Sequence, residues 1–545
     1  MIVYQIFTRL FGNCNPTRIR WGAIAENGCG KFNDISPGVL RQIRAMGVSH
    51  VWFTGVLRHA SQTDYSAYGI PAQHAEIVKG KAGSPYAIAD YYDVDPDLAV
   101  DTKARMSEWL SLISRTHKAK LKVIMDFVPN HVAREYNSIC TPPGTRMLGE
   151  GDDATACFSP HNNFYYYPEP LSLPFLGQQE YVENPAKATG NDQFSSRPLV
   201  SDWYETVKLN YGVDYCNGHG RQNCFEPMPD TWKQMTDILL FWASKGIDGF
   251  RCDMAEMVPA EFWKYATGVV KQHYPHIIFI GEVYNPELYR TYIASGFDYL
   301  YDKVGMYDCL RGVVEGHRPA SDITHQWQRT DDIRENMLYF LENHDEQRIA
   351  SDFFAGNPWK GYPAHIVSCL LGTNPYMLYA GQEVGEPGMD EEGFSGKDGR
   401  TTIFDYWSLD SLAHEYYDKA HSTKEEKCLL EAYKKVMLIA EGEKAITQGA
   451  MFDLMYVNPD LAAGQYAFLR KAGKESVLVV VNFSGEPVKC KIQLPAHAFE
   501  VLGLKKRTVE AEDLLTAETS TFVISPDTQL SLQLPAYGGR VYKWK

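Results

Sequence analysis

The chain has 545 residues and a formal net charge of −15, with 44% hydrophobic and 22% charged residues. That length holds two or three domains around a large core, and the excess of acid excludes a nucleic-acid backbone and disfavours a phosphorylated substrate, leaving neutral polyols open. Aromatic residues make up 13%, including 34 tyrosines and 11 tryptophans, which suits the apolar faces of sugars but is also what a large core shows.

The chain opens on MIVYQIF, a strand pattern with no basic leader and no cleavage site before it. The expectation is a cytoplasmic protein, or a periplasmic or secreted one whose signal has been removed. GCGK at Gly28–Lys31 lacks both the GxGxxG spacing and the Ser/Thr of a phosphate loop, so a nucleotide-binding open sheet is rejected. SPGVLRQIRAMG reads as a helix with Ser36 as N-cap and Pro37 in its first turn. VSHVWFTGV (Val48–Val56), a helical stretch from Asp101 and LKVIMDFV (Leu121–Val128) continue the alternation expected of a parallel sheet covered by helices.

From His131 to Pro229 the periodicity stops and Pro, Gly, Asn, Tyr and Asp dominate, which is too long for a loop and reads as an inserted domain over 131–230. The rhythm returns at DTWKQMTDILLFWASKG and runs through IDGFRCD, HIIFIGE, FDYLYD, MLYFLENHD and NPYMLYAGQE. Eight strand candidates predict a (β/α)8 TIM barrel over 1–130 and 231–449. Beyond about Ala450 only strands follow, predicting an antiparallel β-sandwich over 450–545.

No apolar run approaches the ~18 residues of a membrane span. The 11 cysteines show no CxxC pair and no zinc spacing, which favours free buried thiols; Cys140/Cys157 and Cys216/Cys224 are the pairs that chain proximity offers for disulfides.

Barrel enzymes gather their chemistry at the C-terminal ends of the strands. There the sequence places Asp126 with Asn130 and His131, Arg251 with Asp253, Glu282, and His344 with Asp345. Any one strand-end Asp is ordinarily an Asx turn or an N-cap, but carboxylates ending four of eight strands point to a shared site. Cleaving a glycosidic bond with retention needs two carboxyls of opposite protonation about 5 Å apart. Arg251, two residues before Asp253 on a strand, points the same way and favours an ionised nucleophile. Glu282 follows IIFIG without an adjacent cation, and desolvation there would raise its pKa as an acid/base requires.

The segments DFVPNH, GFRCDMAEM, GEVY and FLENHD, in this order, resemble the short motifs of the α-amylase superfamily, glycoside hydrolase family 13. SPYAIADYYDVDP (Ser84–Pro96) and MPD (Met228–Asp230) resemble two further motifs, so the likeness spans the chain. The resemblance implies Asp253 as nucleophile, Glu282 as general acid/base and Asp345 as the third carboxylate that distorts the sugar ring. It implies substrate contacts from Arg251, His131, His344 and Tyr86, with Asp126 as support beside the site. It implies that Asn130 ligates a structural calcium in many members, with Asp152, Asp153, Asp202 or Asp214 as further oxygen donors. The chemistry itself requires no cofactor.

One departure stands out. Many amylases carry Lys-His after the nucleophile, where this chain reads Met254-Ala255-Glu256-Met257, and Tyr284 replaces a frequent Trp. Hydrolysis of α-glucosidic bonds in starch, glycogen or malto-oligosaccharides is therefore expected, with the endo-amylase mode in doubt. The alternatives are a transglycosylase or an α-1,6- or disaccharide-specific member, and a non-catalytic carbohydrate-binding relative, disfavoured because all three carboxylates are present. No GxSxG elbow supports a serine hydrolase.

Overall fold

The computed structural model describes residues 1–216, 220–526 and 528–545. Eight parallel strands close a barrel: β1 (Ile2–Phe7), β2 (His50–Thr54), β3 (Lys122–Phe127), β4 (Gly249–Cys252), β5 (Ile278–Gly281), β6 (Tyr299–Tyr301), β7 (Met337–Phe340) and β8 (Tyr376–Tyr379). The crossover helices are α1 (Pro37–Arg44), α2 (Arg105–Lys118), α3 (Asp230–Ala243), α4 (Ala260–His273), α5 (Tyr289–Ala294), α6 (Asp308–Val314), α7 (Asp322–Arg329), α8 (Tyr362–Leu370) and α9 (Lys424–Gly442). The start of α1 follows its sequence signal: Ser36 Oγ accepts the N–H of Val39, and Pro37 supplies the first turn.

Side chains alternate along each strand. Val3, Trp52, Ile124, Ile280, Leu338 and Met377 pack together as a separate inner cluster, which fills the barrel as a solid floor. Their neighbours, such as Tyr4, Phe53, Val123 and Phe250, join the larger core. Register then decides what meets at the mouth. Arg251 lies opposite Asp126 on β3 and Ile280 on β5. One step beyond, Asp253 N–H donates to Phe127 O at 2.9 Å and Glu282 N–H to Cys252 O at 3.1 Å, so the strand-end residues stay in register past the strands.

The segment between β3 and α3 folds mostly as loops. The strand His131–Ala133 pairs antiparallel with Thr206–Lys208, which fixes the segment over the barrel mouth. A disulfide joins Cys157 to Cys216. The pairs offered by chain proximity do not form, and Cys140 and Cys224 are free. The cause is the fold-back of the intervening chain: Asn210 N–H donates to Asn163 O at 2.7 Å, and Phe164 bridges Leu209, bringing 157 and 216 together.

The C-terminal strands are β9 (Ala450–Asp453), β10 (Gln465–Ala472), β11 (Glu475–Asn482), β12 (Val488–Gln493), β13 (Arg507–Asp513), β14 (Thr519–Ile524), β15 (Gln529–Leu534) and β16 (Gly538–Trp544). They form an antiparallel six-stranded sheet, β9-β10-β11-β16-β13-β14, and a two-stranded one, β12-β15. Arg470 on β10 is buried and meets no carboxylate among the described residues. Its guanidinium donates instead to the carbonyls of Leu370 and Leu371 at the end of α8, and to those of Ile446 and Gly449 around the end of α10 (Lys444–Thr447). Burial pulls its pKa down to about 9. Four carbonyls at two helix C-termini are the partners a cation finds there without a counter-ion. No described helix is long and apolar enough to cross a membrane.

Candidate active site

A cavity of about 360 Å³ opens at the C-terminal end of the barrel, and Asp253, Glu282, Asp345, Tyr86 and His131 all line it. Arg251 lies beneath, buried, with its guanidinium 5.2 Å from the ring centre of Trp52 and 5.5 Å from those of Tyr86 and Tyr301. Its NH1 donates to Asp253 Oδ1 at 2.7 Å, as the strand alternation required.

Glu282 differs from its expectation. It does not stand apart from a cation: Arg251 NH2 lies 2.8 Å from Glu282 Oε2. The sequence separation hid this, because the guanidinium reaches across from β4 to β5. Glu282 Oε2 also accepts the backbone N–H of Met254 at 2.8 Å, and Oε1 accepts the Tyr284 hydroxyl at 2.7 Å. Asp126 Oδ1 sits 3.6 Å from the same guanidinium. One cation therefore faces three buried carboxyls, and full ionisation would leave two negative charges uncompensated in a low-dielectric site. Burial pushes Asp253 well up, Arg251 opposes this and Glu282 adds to it. Asp126 is pushed up to about 7, first by burial, with Arg251 again opposing. Asp253 and Asp126 thus hold their protons to a higher pH than isolated carboxyls would.

Asp345 is partly exposed at the cavity wall, with Oδ2 3.1 Å from His344 Nε2. Gln5 Nε2 approaches His344 Nδ1 at 2.8 Å and also donates to Thr54 Oγ1. Burial and Arg251 hold His344 well below its ordinary pKa, so the ring is neutral. With Nδ1 accepting from Gln5, its proton sits on Nε2, facing Tyr86 and Asp345. The Tyr86 and His344 rings stack with centres 5.3 Å apart. His131 is also neutral, brought to about 3 by burial and by Lys208 and Lys79, and its ring packs 5.2 Å from Trp203.

Asn130 does not offer a calcium site. Its Oδ1 accepts from the buried ammonium of Lys208. The same ammonium lies 2.6 Å from Asp192 Oδ1 and 3.3 Å from the carbonyl of Met257. A divalent ion would have to displace this resident cation, so the residues present do not fit calcium. The acids expected to help are engaged elsewhere: Asp152 accepts from Asn163 and Phe164, Asp153 from the N–H and hydroxyl of Thr155, Asp202 from Asn191 and Leu199, and Asp214 from Cys216.

Several site residues carry no motif. Gln5 went unread although its strand carries a signal, a polar residue at the inward parity of Val3 on an apolar strand. Lys79, Trp203 and Glu205 reach the cavity from the loop after β2 and from the inserted segment. Lys79 Nζ pairs with Glu205 Oε2 at 2.9 Å, joining those two pieces of chain. Glu256, within the stretch that departs from the usual amylase pattern, turns away from the cavity and accepts the N–H groups of Tyr284 and Asn285 at 3.0 and 2.9 Å. It thereby fixes the turn that follows Glu282.

Comparison with known proteins gives two matches to family models: residues 5–435 match the α-amylase catalytic domain, and residues 456–545 match the α-amylase C-terminal all-β domain. Among curated proteins, neopullulanase 2 of Thermoactinomyces vulgaris is 20% identical over 508 residues, 91% of this chain and 71% of that one. A cyclomaltodextrinase of Geobacillus thermopakistaniensis is 21% identical over 555 residues, 99% of this chain and 76% of that one. Among solved structures, the α-amylase of Geobacillus thermoleovorans in complex with acarbose superposes with a TM-score of 0.66 at 18% identity, covering 100% of this chain and 98% of that one.

Proposed function

The chain belongs to the α-amylase family, a family of glycosidases, and on that premise we propose that it cleaves α-glucosidic bonds with retention, Asp253 attacking and Glu282 acting as acid and base. The observation that carries this reading is the single guanidinium of Arg251 shared by Asp253 and Glu282. It sets the two carboxyls side by side, in keeping with the ~5–5.5 Å of a retaining pair rather than the wider gap that admits a water.

In the first step Asp253 attacks the anomeric carbon, the glycosidic bond breaks, and a proton on Glu282 passes to the leaving oxygen. In the second step Glu282 takes a proton from water, whose oxygen displaces Asp253. A sugar hydroxyl in place of water gives transglycosylation by the same groups. Asp345 and the His344 Nε2–H are placed to bind ring hydroxyls, and Tyr86 to pack against the sugar.

The substrate class is an α-glucan or malto-oligosaccharide. Met254 and Tyr284, in place of charged or indole side chains, support short or end-bound substrates over the endo-amylase mode. The Cys157–Cys216 disulfide supports an oxidising compartment, periplasmic or extracellular, over the cytoplasm. Time-resolved product analysis on starch, maltotriose, isomaltose and cyclodextrin tests the reading. Release of the α-anomer first is expected, and a β-anomer at the first time point would refute retention.

A further inference from the structure

The segment 399–406, between β8 and α9, runs as an arch along one side of the barrel mouth and touches the top of four consecutive strands' loops. Gly399 O accepts the N–H of Arg348, beyond β7. Thr401 Oγ1 and the Tyr379 hydroxyl, at the end of β8, lie 2.9 Å apart. Ile403 O accepts from Arg9 NH1 at 3.0 Å, just past β1. Phe404 O accepts the N–H of Ala82 at 3.1 Å, in the loop after β2. The Tyr406 hydroxyl then donates to Asp97 Oδ2 at 2.6 Å.

These contacts are built in. Arg9 is buried and ties the arch to the β2 loop, since it also donates to the carbonyls of Ala82 and Gly83. Gly80 has φ +69°, and a Cβ there would lie 2.1 Å from Phe404 O, so the two loops meet backbone to backbone. The Lys79–Glu205 pair extends the same wall to the inserted segment.

The wall has a side. Ile403 and Phe404 line the cavity together with Ser84 and Tyr86, next to Asp345. That is the flank on which the sugar attacked by Asp253 must lie. Glu282, which protonates the departing oxygen, is held instead by Met254 N–H and the Tyr284 hydroxyl, two residues that are partly exposed in the cavity wall. The cavity's volume of about 360 Å³ is at the small end of ligand pockets, ~300–1,000 Å³.

We infer that the glycone side is closed by this arch, so that the protein acts from the non-reducing end of its chains and admits only a short terminal unit beyond the scissile bond. This rests on the glucosidic reading above. A long chain cannot thread past Phe404 without displacing contacts made at four strand ends.

The test compares 4-nitrophenyl α-maltoheptaoside with the same compound blocked at its non-reducing end by a 4,6-O-ethylidene group. The free compound should be cleaved and the blocked one slowed by about 100-fold or more, the scale on which a pocket rejects an ill-fitting group. Phe404→Ala, which leaves the Arg9 contacts in place, should restore cleavage of the blocked compound while raising KM for maltotriose. Equal rates on free and blocked compounds with the wild-type protein overturn end-directed action and leave the glucosidic reading standing. Failure to cleave either compound, with starch and cyclodextrin also intact, overturns the glucosidic reading and this inference with it.

Discussion

The backbone N–H of Met254, the residue directly after Asp253, donates to Glu282 Oε2 at 2.8 Å. The two carboxyls are thus tied by backbone as well as by Arg251. The tie depends on an unusual conformation, because Met254 has φ +42°, in the left-handed region. Met254→Gly should therefore keep the hydrogen bond and most of the stability, whereas Met254→Val should cost about 1–2 kcal/mol in backbone strain and misplace Glu282. Thermal unfolding and kcat on an aryl maltoside check this; a valine variant as active and stable as the glycine one would show that the left-handed turn is unimportant.

Asp253→Asn should fold and lose nearly all turnover on every substrate. Glu282→Gln should lose ~10²–10⁴-fold on maltosides, where the leaving oxygen needs a proton. It should lose much less in the first step on α-glucosyl fluoride, whose leaving group needs little protonation. Equal losses on both substrates would remove Glu282 from the acid role.

Lys208 stands where a metal would be needed to hold Asn130, Asp192 and the Met257 carbonyl together. EDTA should leave the wild-type melting temperature unchanged. Lys208→Met should destabilise by about 3 kcal/mol, since it strips the partner from buried polar groups. A wild-type melting temperature that falls in EDTA and is restored by calcium would contradict this arrangement.

Glu383 is buried, accepts from the Tyr4 hydroxyl at 2.5 Å and the Tyr416 hydroxyl at 3.2 Å, and is pushed up from 4.5 to about 7, chiefly by burial. The folded carboxyl keeps its proton to a higher pH than the unfolded one. Its contribution is therefore full below about pH 4.5 and lost as pH rises through about 7, on the order of 3 kcal/mol in all. Glu383→Gln should lose correspondingly less stability than the wild type between pH 5 and pH 8.5, read by urea unfolding at each pH. Parallel losses in the two proteins would rule Glu383 out as the titrating group.

The strand ends were legible because a barrel leaves little freedom there. A short apolar run fixes a strand, parity fixes which side chains enter, and the C-terminal end of each strand faces the site. Arg251 and Asp253 needed nothing more. Glu282's contact with Arg251 escaped because it is a relation between neighbouring strands, set by register rather than by spacing along one strand. Lys208, Lys79 and Glu205 escaped for a stronger reason: they lie on segments without periodicity, whose placement depends on tertiary contacts alone. The disulfide shows the same limit, since Cys157 and Cys216 are 59 residues apart while nearer cysteines stay unpaired. The arch over 399–406 has no sequence signature beyond Gly399 at its start.

Arg470 bears on how this molecule can be rearranged. The carbonyls at the ends of α8 and α10 find their donor on another domain, so those helix ends are finished only when β10 is in place. Removing the C-terminal sheet would leave four backbone acceptors without that donor beneath the barrel. Exchanging the sheet for one from a relative would succeed only if the incoming strand carried a cation at the same register. The two domains are separate as folds, yet a side chain of one finishes two helix ends of the other.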